Sequence, residues 1–394
     1  MAEYPAIDEL PADPALPDPF ETFDGRAVST PAGWRDVRRA ELRGLFQHYV
    51  YGYVPDPPEL SVTTTTTENV LDGAATLREV EIGYESYPAA PSITLALFLP
   101  ADRAGRAPTF LGLNRAGNHI VVDDESVTIS EGWRPERHEP ASEAGRGARA
   151  DVWCVAKVIE RGYGFATIFQ SDIDPDREGT DGGIREYVDL DVPDGTAWGT
   201  LAAWGWGLSR GVDYLRREDG VDDSGIAVIG HSRRGKAALF AAAMDDRIAL
   251  AVPHQSGTGG MALSRANRQE TVADITGTFP HWFCDRFHEF AGREERLPVD
   301  QHLLASLVAP RPLLDTEGLR DYWANYDSAF RNLLAADRVY EFLGETGLGE
   351  TSILSESSID PDRVGSLLQY RRDTEHTLDR KYWDAILDFA DAVL

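Results

Sequence analysis

The chain has 394 residues, 42% of them hydrophobic, and a formal net charge of −28 at pH 7. This length and apolar content are sufficient for a large buried core, and the negative charge argues against nucleic acid or an anionic membrane as a partner because it repels polyanions. No apolar run approaches the roughly 18 residues that a membrane-spanning helix requires.

The N-terminal segment, residues 1–20, contains five prolines and several acidic residues. It lacks the basic and apolar parts of a secretory signal and the character of a transit peptide. We therefore expect an extended arm followed by a single catalytic domain over residues 21–394. The same observation predicts a cytoplasmic protein, with export by a route that uses no recognisable signal as the alternative.

The first half of the chain changes from helical to strand periodicity. Residues 34–51 predict a helix, because apolar positions recur at helical spacing. Alternating polar and apolar residues then predict antiparallel strands over 60–67, 75–84 and 92–99. The denser apolar runs 108–113 and 164–169 are typical of interior parallel strands. Residues 118–149, rich in charge, glycine and proline, predict an insertion over the sheet edge that could cover a substrate.

In the second half, predicted strands alternate with predicted helices, which indicates a mainly parallel sheet. The predicted helices are 198–215, 236–243 and 380–394. The predicted strands are 225–229, 248–252, 311–316 and 366–371, and residues 339–342 are interpreted as part of a helix-to-strand crossover. With helices on both faces, this pattern predicts a three-layer sandwich of the α/β-hydrolase class.

Metal-binding patterns are weak. Cys154 and Cys284 are far apart in sequence and have no clustered histidines, so they do not predict a zinc site, and a single disulfide between them stays open. The stretch 172–176 resembles the start of a calcium loop, but Arg177 stands where that loop needs glycine, and a plain acidic loop is favoured. We expect neither a metal nor a cofactor.

Ser232 lies where a β-branched apolar run stops and an alanine-rich helix begins, with glycines nearby on both sides. This resembles the G-x-S-x-G nucleophile elbow, in which a tight strand-to-helix turn lifts the serine hydroxyl above the sheet. A Gly-Ser turn between two ordinary elements is the alternative. If Ser232 is a nucleophile, the oxyanion hole is expected from the N–H of Arg233 and a second donor in the loop 114–118.

A nucleophilic serine needs a histidine to take its proton and a carboxylate to hold that histidine. In the α/β-hydrolase order, the acid and then the histidine follow the serine at the carboxyl ends of later strands. His376 lies between the last predicted strand and the last predicted helix, which is the required place. Asp321 is the favoured acid, and Glu317 and Asp315 compete with it.

Several stretches together resemble the glucuronoyl esterases, carbohydrate esterase family 15, over nearly the whole chain from about residue 16. The most specific is 230–236, where arginine follows the serine and lysine stands four residues after it. The others are 172–176, 256–260, 279–284, 297–302 and 309–312. The resemblance implies an α/β-hydrolase that cleaves esters of the C6 carboxyl of glucuronic acid, as in links between glucuronoxylan and lignin, through an acyl-enzyme.

The resemblance also implies residue roles. Ser232 would be the nucleophile, His376 the general base, and Arg233 an oxyanion stabiliser through its guanidinium as well as its N–H. The implied sugar-binding residues are Lys236, Glu270 and Trp323. For Lys236, packing at the start of a helix is the alternative.

One position departs from the family pattern. Many members have the catalytic glutamate just before the Ser-Gly-x-Gly-Gly turn, but Gln255 stands there in this chain. An amide cannot stabilise an imidazolium as a carboxylate does. Other bacterial-type members have the acid on a later loop, and Asp321, two residues before Trp323, fits that variant.

Two other functions compete with this interpretation. An acetyl xylan esterase or other carbohydrate carboxylesterase would share the fold, but the sugar would then be the leaving alcohol and Lys236 and Glu270 would matter less. A carbohydrate-binding protein without catalysis is the other alternative, and Gln255 is the residue that favours it.

The basic residues are strongly skewed, since only three of the 38 are lysines, and 66 residues are acidic. An excess of carboxylates with few lysines is typical of proteins that work in concentrated salt, where mutual repulsion is screened over a few Å. We therefore predict that the protein is halophilic.

Lowering the salt concentration should destabilise the protein, because repulsion among its carboxylates then extends further. We expect the thermal unfolding midpoint to fall when KCl is reduced from about 3 M to about 0.1 M, a range over which the screening length grows from a few Å to about 10 Å. Thermal scans followed by circular dichroism measure it, with sucrose as a non-ionic control. Full stability without added salt would contradict the prediction.

Overall fold

The computed structural model describes residues 4–130 and 142–394, together with the backbone of 133–134 and 139–140. The strands are β1 (Leu60–Val70), β2 (Ala75–Tyr84), β3 (Ile93–Pro100), β4 (Ala107–Asn114), β5 (Trp133–Arg134), β6 (Glu139–Pro140), β7 (Gly164–Phe169), β8 (Val221–His231), β9 (Leu250–His254), β10 (Leu313–Gly318), β11 (Leu348–Ser355) and β12 (Leu367–Arg372).

The α-helices are α1 (Pro31–Gly33), α2 (Arg39–Phe46), α3 (Ala150–Trp153), α4 (Val155–Glu160), α5 (Gln170–Ile173), α6 (Thr200–Leu215), α7 (Arg233–Met244), α8 (Val272–Thr278), α9 (Asp285–His288), α10 (Gln301–Ser306), α11 (Tyr326–Leu343) and α12 (Arg380–Val393). Two π-helical segments, Trp34–Arg38 and Gln47–Tyr51, flank α2. Short 3₁₀ turns occur at Ile7–Glu9, Asn118–Ile120, Glu143–Gly145, Ile184–Glu186 and Glu294–Arg296.

Within the described residues, one ten-stranded sheet has the order β1-β2-β3-β7-β4-β8-β9-β10-β12-β11. The first three strands pair antiparallel, and β3 joins β7 antiparallel. From β7 to β11 every neighbouring pair is parallel. Burial follows the same division. The parallel strands β4, β7, β9 and β10 are apolar and almost wholly buried, whereas the antiparallel edge strand β1 is rich in threonine and largely exposed.

The sheet is covered on both faces by helices. Side chains alternate along β8, so that Val228 belongs to one apolar cluster and Ile229 to the other. The first cluster includes side chains of α6, α7, α10 and α11, and the second includes those of α3, α4 and α12. This arrangement confirms the predicted α/β-hydrolase sandwich with a mainly parallel sheet.

Residues 339–342 form the end of α11, which connects β10 to β11, as the predicted helix-to-strand crossover requires. One element differs from the prediction. The edge strand β11 was not expected, since its sequence LGETSILS has no clear alternation and its side chains are only partly buried. Its pairing with β12 is irregular between Leu348 and Ile353, as expected where no alternating pattern fixes the register.

The N-terminal arm is packed on the domain. Ile7 and Leu10 are buried in the first apolar cluster, and the Asp13 N–H donates to the Glu295 carbonyl at 2.8 Å. In the predicted insertion, residues such as Val121 and Val127 are buried in the second cluster. Apart from the backbone of β5 and β6, residues 131–141 of the insertion lie outside the described residues.

Cys154 and Cys284 are both free thiols, so the disulfide that the sequence left open does not form here. No helix among the described residues is long and apolar enough to cross a membrane.

The last helix, α12, begins at an acidic cap just after the loop that contains His376. The Asp379 carboxylate accepts hydrogen bonds from the N–H groups of Lys381 at 2.9 Å and Tyr382 at 3.2 Å. The Arg372 guanidinium at the end of β12 donates to the same oxygen at 2.6 Å. Burial alone would raise the pKa of Asp379, but Arg372 and the two N–H groups outweigh it and lower the pKa.

Replacing this cap should destabilise the protein. We expect Asp379→Ala to lower the free energy of unfolding by about 1–2 kcal/mol at neutral pH, and Asp379→Asn, which retains the cap but not the charge, to cost less. Because the folded pKa is lowered, the contribution is present above the unfolded pKa of about 4 and is lost as the pH falls through the folded value. Chemical denaturation at neutral and acidic pH measures it; equal loss in both variants would contradict the capping role.

Candidate active site

Ser232 occupies a sharp turn between β8 and α7. Its backbone has φ 63° and ψ −129°, a strained conformation for a side-chain-bearing residue, and its N–H donates to the His254 carbonyl at 2.9 Å. A Cβ on Gly230 would lie 2.0 Å from the Arg234 carbonyl oxygen, so only glycine fits there. The second glycine, Gly235, lies three residues after the serine, so the motif is G-x-S-x-x-G and not G-x-S-x-G.

Ser232 and His376 line one pocket of about 310 Å³ at the carboxyl ends of the parallel strands. The Nδ1 atom of His376 donates to Oδ2 of Asp321 at 2.5 Å. The side chain of His376 is 42% exposed and that of Asp321 is 2% exposed. A carboxylate shielded in this way fixes the tautomer of the imidazole and leaves Nε2 for the substrate side.

The loop that holds Asp321 is attached to the end of β12. The N–H of Leu319 donates to the Arg372 carbonyl at 2.8 Å, and that of Arg320 donates to the Thr374 carbonyl at 3.0 Å. Asp321 therefore reaches His376 from a loop that is tied to the strand preceding His376.

The two competing acids lie elsewhere. Glu317 and Asp315 are inside β10 and fully buried, and Gln369 donates to Asp315 at 2.7 Å. Burial raises the pKa of Asp315 to about 7. Burial and the adjacent Asp315 carboxyl raise the pKa of Glu317 well above its usual range. A raised pKa disfavours the charged carboxylate that would stabilise an imidazolium, and no hydrogen bond joins either group to His376 among the described residues.

Gln255, which stands where many relatives have the acid, holds the backbone on both sides of His376. Its amide nitrogen donates to the Glu375 carbonyl at 3.1 Å, and its amide oxygen accepts from the Thr377 N–H at 2.8 Å. A carboxylate at this position could accept the second bond but could not donate the first. Glutamine is therefore suited to positioning the histidine loop.

Two neutral histidines lie beneath His376. The ring of His231 packs against that of His376 at a tilt of 34° with the centroids 4.4 Å apart, and the ring of His254 lies 4.9 Å from that of His231. Burial lowers the pKa of His254 to about 3 and that of His231 well below its usual value. His376, in contrast, is exposed to the pocket.

Arg233 is held by an acidic and an aromatic partner. Its guanidinium donates to Asp176 at 2.5 Å and lies over the ring of Trp282 at 4.5 Å. The Trp282 indole and His281 also contact Asp176, each at 2.9 Å. Burial alone would raise the pKa of Asp176, but these hydrogen bonds and the charge of Arg233 outweigh it and lower the pKa. The acidic stretch 172–176 thus supplies the carboxylate that orients Arg233.

The expected second oxyanion donor is restricted by bonds within its loop. The N–H groups of Ala116 and Gly117 donate to the Asn114 side chain, and that of Asn118 donates to Ser130. These three groups are therefore engaged. From this loop, Arg115 lines the pocket together with Ser232.

Lys236, Glu270 and Trp323 meet around Gly257. A Cβ on Gly257 would lie 3.0 Å from a Glu270 oxygen, 3.0 Å from the Trp323 carbonyl oxygen and 3.5 Å from the Lys236 ammonium. The Trp323 side chain is exposed, whereas Glu270 is only slightly exposed and accepts from the Thr258 N–H at 3.1 Å.

The Lys236 ammonium is buried and has several partners. It donates to the carbonyl oxygens of Ser256 and Thr258, each at 2.6 Å, and lies 3.6 Å from Glu270. Burial lowers its pKa. Lys236 therefore supports the turn after β9 as well as facing Glu270, so the packing alternative describes part of its role.

The structure thus places the sequence-predicted residues in two adjoining groups. Ser232, Arg233 and His376 line the pocket with Asp321 behind, and the three predicted sugar residues surround Gly257. The sequence reasoning missed the contacts of Asp176 and Trp282 with Arg233 and the packing of His231 against His376. No group of three potential metal ligands occurs among the residues that the structure describes.

The chain is similar in sequence to known carbohydrate esterases. A family model described as glucuronyl esterase, fungi, matches residues 150–344. A carbohydrate esterase from an unknown prokaryotic organism is 40% identical over 95% of this chain and 89% of its own length. A 4-O-methyl-glucuronoyl methylesterase from Wolfiporia cocos is 31% identical over 84% of this chain and 72% of its own length.

A solved glucuronoyl esterase from Solibacter usitatus has a similar structure. It superposes with a TM-score of 0.88 at 35% identity and covers 98% of this chain and 99% of its own. The identity, the coverage and the shared fold together show that this chain belongs to the glucuronoyl esterases, carbohydrate esterase family 15.

Proposed function

We propose that this chain hydrolyses esters of the C6 carboxyl of glucuronic acid or its 4-O-methyl derivative, as in links between glucuronoxylan and lignin. The observation that carries the proposal is the bond from His376 to Asp321 in the pocket that Ser232 lines. The methylesterase from Wolfiporia cocos named above supports the choice of substrate.

In the proposed mechanism, the Ser232 hydroxyl attacks the C6 carbonyl while Nε2 of His376 takes its proton. The tetrahedral intermediate collapses, the bond to the alcohol breaks, and His376 returns the proton to the alcohol oxygen. Water, activated by the same histidine, then cleaves the acyl-enzyme and releases the uronic acid. No group outside the protein, the ester and water is needed to balance these steps.

Arg233 would stabilise the oxyanion. Its position at the first residue of α7 places its N–H beside the nucleophile, where the positive end of the helix also faces developing negative charge. Asp176 and Trp282 restrict the guanidinium to one orientation. Such preorganisation lowers the barrier because no dipole must reorient during the reaction.

Lys236, Glu270 and Trp323 would bind the uronate ring. An ammonium and a carboxylate offer a donor and an acceptor for sugar hydroxyls, and an exposed indole offers a flat apolar face. The Lys236 ammonium lies 3.6 Å from a Glu270 carboxylate oxygen, so their opposite charges hold the two side chains together. Gly257 permits this close approach, since a side chain there would crowd both groups.

The proposed activity can be tested against its two alternatives. We expect turnover of methyl or benzyl glucuronate in molar salt, little turnover of acetylated xylose or an aryl acetate, and loss of activity in Ser232→Ala. Initial rates with purified protein measure it. Activity on acetates alone would favour an acetyl esterase, and no turnover of any ester would favour a carbohydrate-binding protein.

The assignment of the acid is tested by a matched pair of amide substitutions. Asp321→Asn should lower kcat by roughly two to four orders of magnitude, because the histidine loses its orienting carboxylate. Glu317→Gln, which imitates the protonated form of that buried acid, should leave kcat within a few-fold of wild type. Steady-state kinetics on methyl glucuronate distinguish them; near-normal kcat in Asp321→Asn would return the role to Glu317.

A further inference from the structure

His254, the last residue of β9, and Gln255, which follows it, contact several parts of the proposed site. In the sheet, β9 lies between β8 and β10. The His254 carbonyl accepts the N–H of Ser232 at 2.9 Å, and the Gln255 N–H donates to the Thr316 carbonyl of β10 at 3.0 Å. The side chains of the same two residues bond to the loop that contains His376. We call this pair, His254 and Gln255, the clamp.

The ring of His254 is neutral and has a single tautomer. Its Nε2 lies 2.9 Å from the Thr377 carbonyl oxygen, and its Nδ1 lies 2.7 Å from the Thr316 hydroxyl oxygen. Since a carbonyl oxygen only accepts, Nε2 holds the proton and donates, and the Thr316 hydroxyl donates to Nδ1. Burial lowers the pKa of His254 to about 3, so this form persists at neutral pH. The rings of Tyr382 and His231 also pack against it, with centroids 4.6 and 4.9 Å away, which leaves the ring one orientation.

Together the clamp binds three consecutive peptide groups around His376. Gln255 donates to the Glu375 carbonyl at 3.1 Å and accepts from the Thr377 N–H at 2.8 Å. His254 donates to the Thr377 carbonyl. Because peptide groups are planar, holding the groups before and after a residue restricts both of its backbone dihedrals. The position of the His376 ring therefore does not depend on its bond to the acid alone.

The clamp requires an unfavourable backbone conformation. Gln255 has a φ of 43°, in the left-handed region that side-chain-bearing residues rarely adopt, and it is fully buried. A Cβ on Gly318 would collide with the Gln255 amide nitrogen, so glycine at the end of β10 makes room for this side chain. Strained residues persist where the surrounding bonds hold them, and they concentrate at functional sites.

We propose that His254 and Gln255 are positioning residues that hold the base, His376, within reach of the nucleophile Ser232. The inference rests on the proposed esterase function and assigns the geometry of its proton transfer to two buried residues. Both act through the backbone of the histidine loop and not on the ester. Because the His254 carbonyl also binds the Ser232 N–H, one residue fixes the nucleophile and the base relative to each other.

The test begins with a pair of substitutions at His254. His254→Phe retains a ring but loses both ring hydrogen bonds, and it should lower kcat on methyl glucuronate by about 10- to 100-fold, because proton transfer is sensitive to small displacements. KM should change by less than about threefold, since the effect is on a step after binding. His254→Gln, whose amide N–H can replace the Nε2–H donor, should recover part of kcat. Steady-state kinetics below the unfolding temperature of each variant measure both constants.

His302→Phe is the matched control. His302 is equally buried, and its Nε2 donates to the Pro17 carbonyl at 2.9 Å, on α10. The control thus loses the same kind of bond, and its kcat should stay near that of wild type. If His254→Phe does not fold, Thr316→Val provides a milder substitution. It removes the donor to Nδ1 while His254 stays, so kcat should fall by a smaller factor.

A second measurement follows His376 directly and needs no substrate. The proton on Nδ1 of His376, which bonds to Asp321, should give a proton NMR signal downfield of the amides, and the signal should be absent from His376→Ala. In His254→Phe it should broaden or disappear, because a displaced loop lets this proton exchange with water. In His302→Phe it should remain. A loss of global stability alone predicts the same signal in both variants below their unfolding temperatures.

Substitutions of Gln255 test whether the clamp acts as one unit. Gln255→Met retains the length of the side chain but loses both bonds, and it should resemble His254→Phe. The double variant should lose less than the product of the two single losses, because both residues hold the same loop. Gln255→Glu should not restore activity to Asp321→Asn, since a carboxylate cannot donate to the Glu375 carbonyl.

The outcomes separate this inference from the proposed function. Wild-type kcat, or an unchanged His376 signal, in both His254→Phe and Gln255→Met would overturn the inference and leave the esterase function standing. Restored activity in Asp321→Asn with Gln255→Glu would also overturn it, because position 255 would then be a place for an acid. No turnover of any uronate ester by wild type would overturn the proposed function, whereas the NMR signal would still report whether the clamp holds His376.

Discussion

The strained turn at Ser232 is the constraint on which the rest of the site depends. A positive φ at a serine is unfavourable, and the surrounding bonds must hold it in place. Here the N–H of Ser232 bonds to the carbonyl of His254 on the neighbouring strand, and the bare glycines at 230 and 235 let the first turn of α7 close over the end of β8. The sheet core therefore stabilises a conformation that the local chain would not adopt alone.

From that turn, one short segment contributes to several parts of the site. Ser232 faces the pocket, His231 before it supports the ring of His376, and Arg233 after it reaches Asp176. One helical turn later, Lys236 contacts the turn after β9. Neighbouring side chains along this segment point in different directions, because the chain changes there from a strand to a helix.

Much of this was accessible from the sequence. The fold followed from periodicity, since dense apolar runs separated by helical patterns indicate buried parallel strands. Asp321 could be favoured over Asp315, which lies inside the predicted strand 311–316, whereas Glu317 was expected on the same loop as Asp321 and the structure instead buries it inside β10. The role of Gln255 could not be read in advance, since it depends on the backbone of Glu375 and Thr377, which lie about 120 residues away in sequence. Asp176 was noticed only as part of an acidic run, because nothing local indicates that it contacts Arg233.

The attachment of the Asp321 loop to the end of β12 has a consequence for the durability of the site. The acid and the base are joined by their own hydrogen bond and by two backbone bonds between 319–320 and 372–374, and Gln255 holds the histidine loop from the other side. The acid and the base are therefore coupled through the backbone as well as through their own hydrogen bond, so that displacing either loop weakens the contacts that position the other.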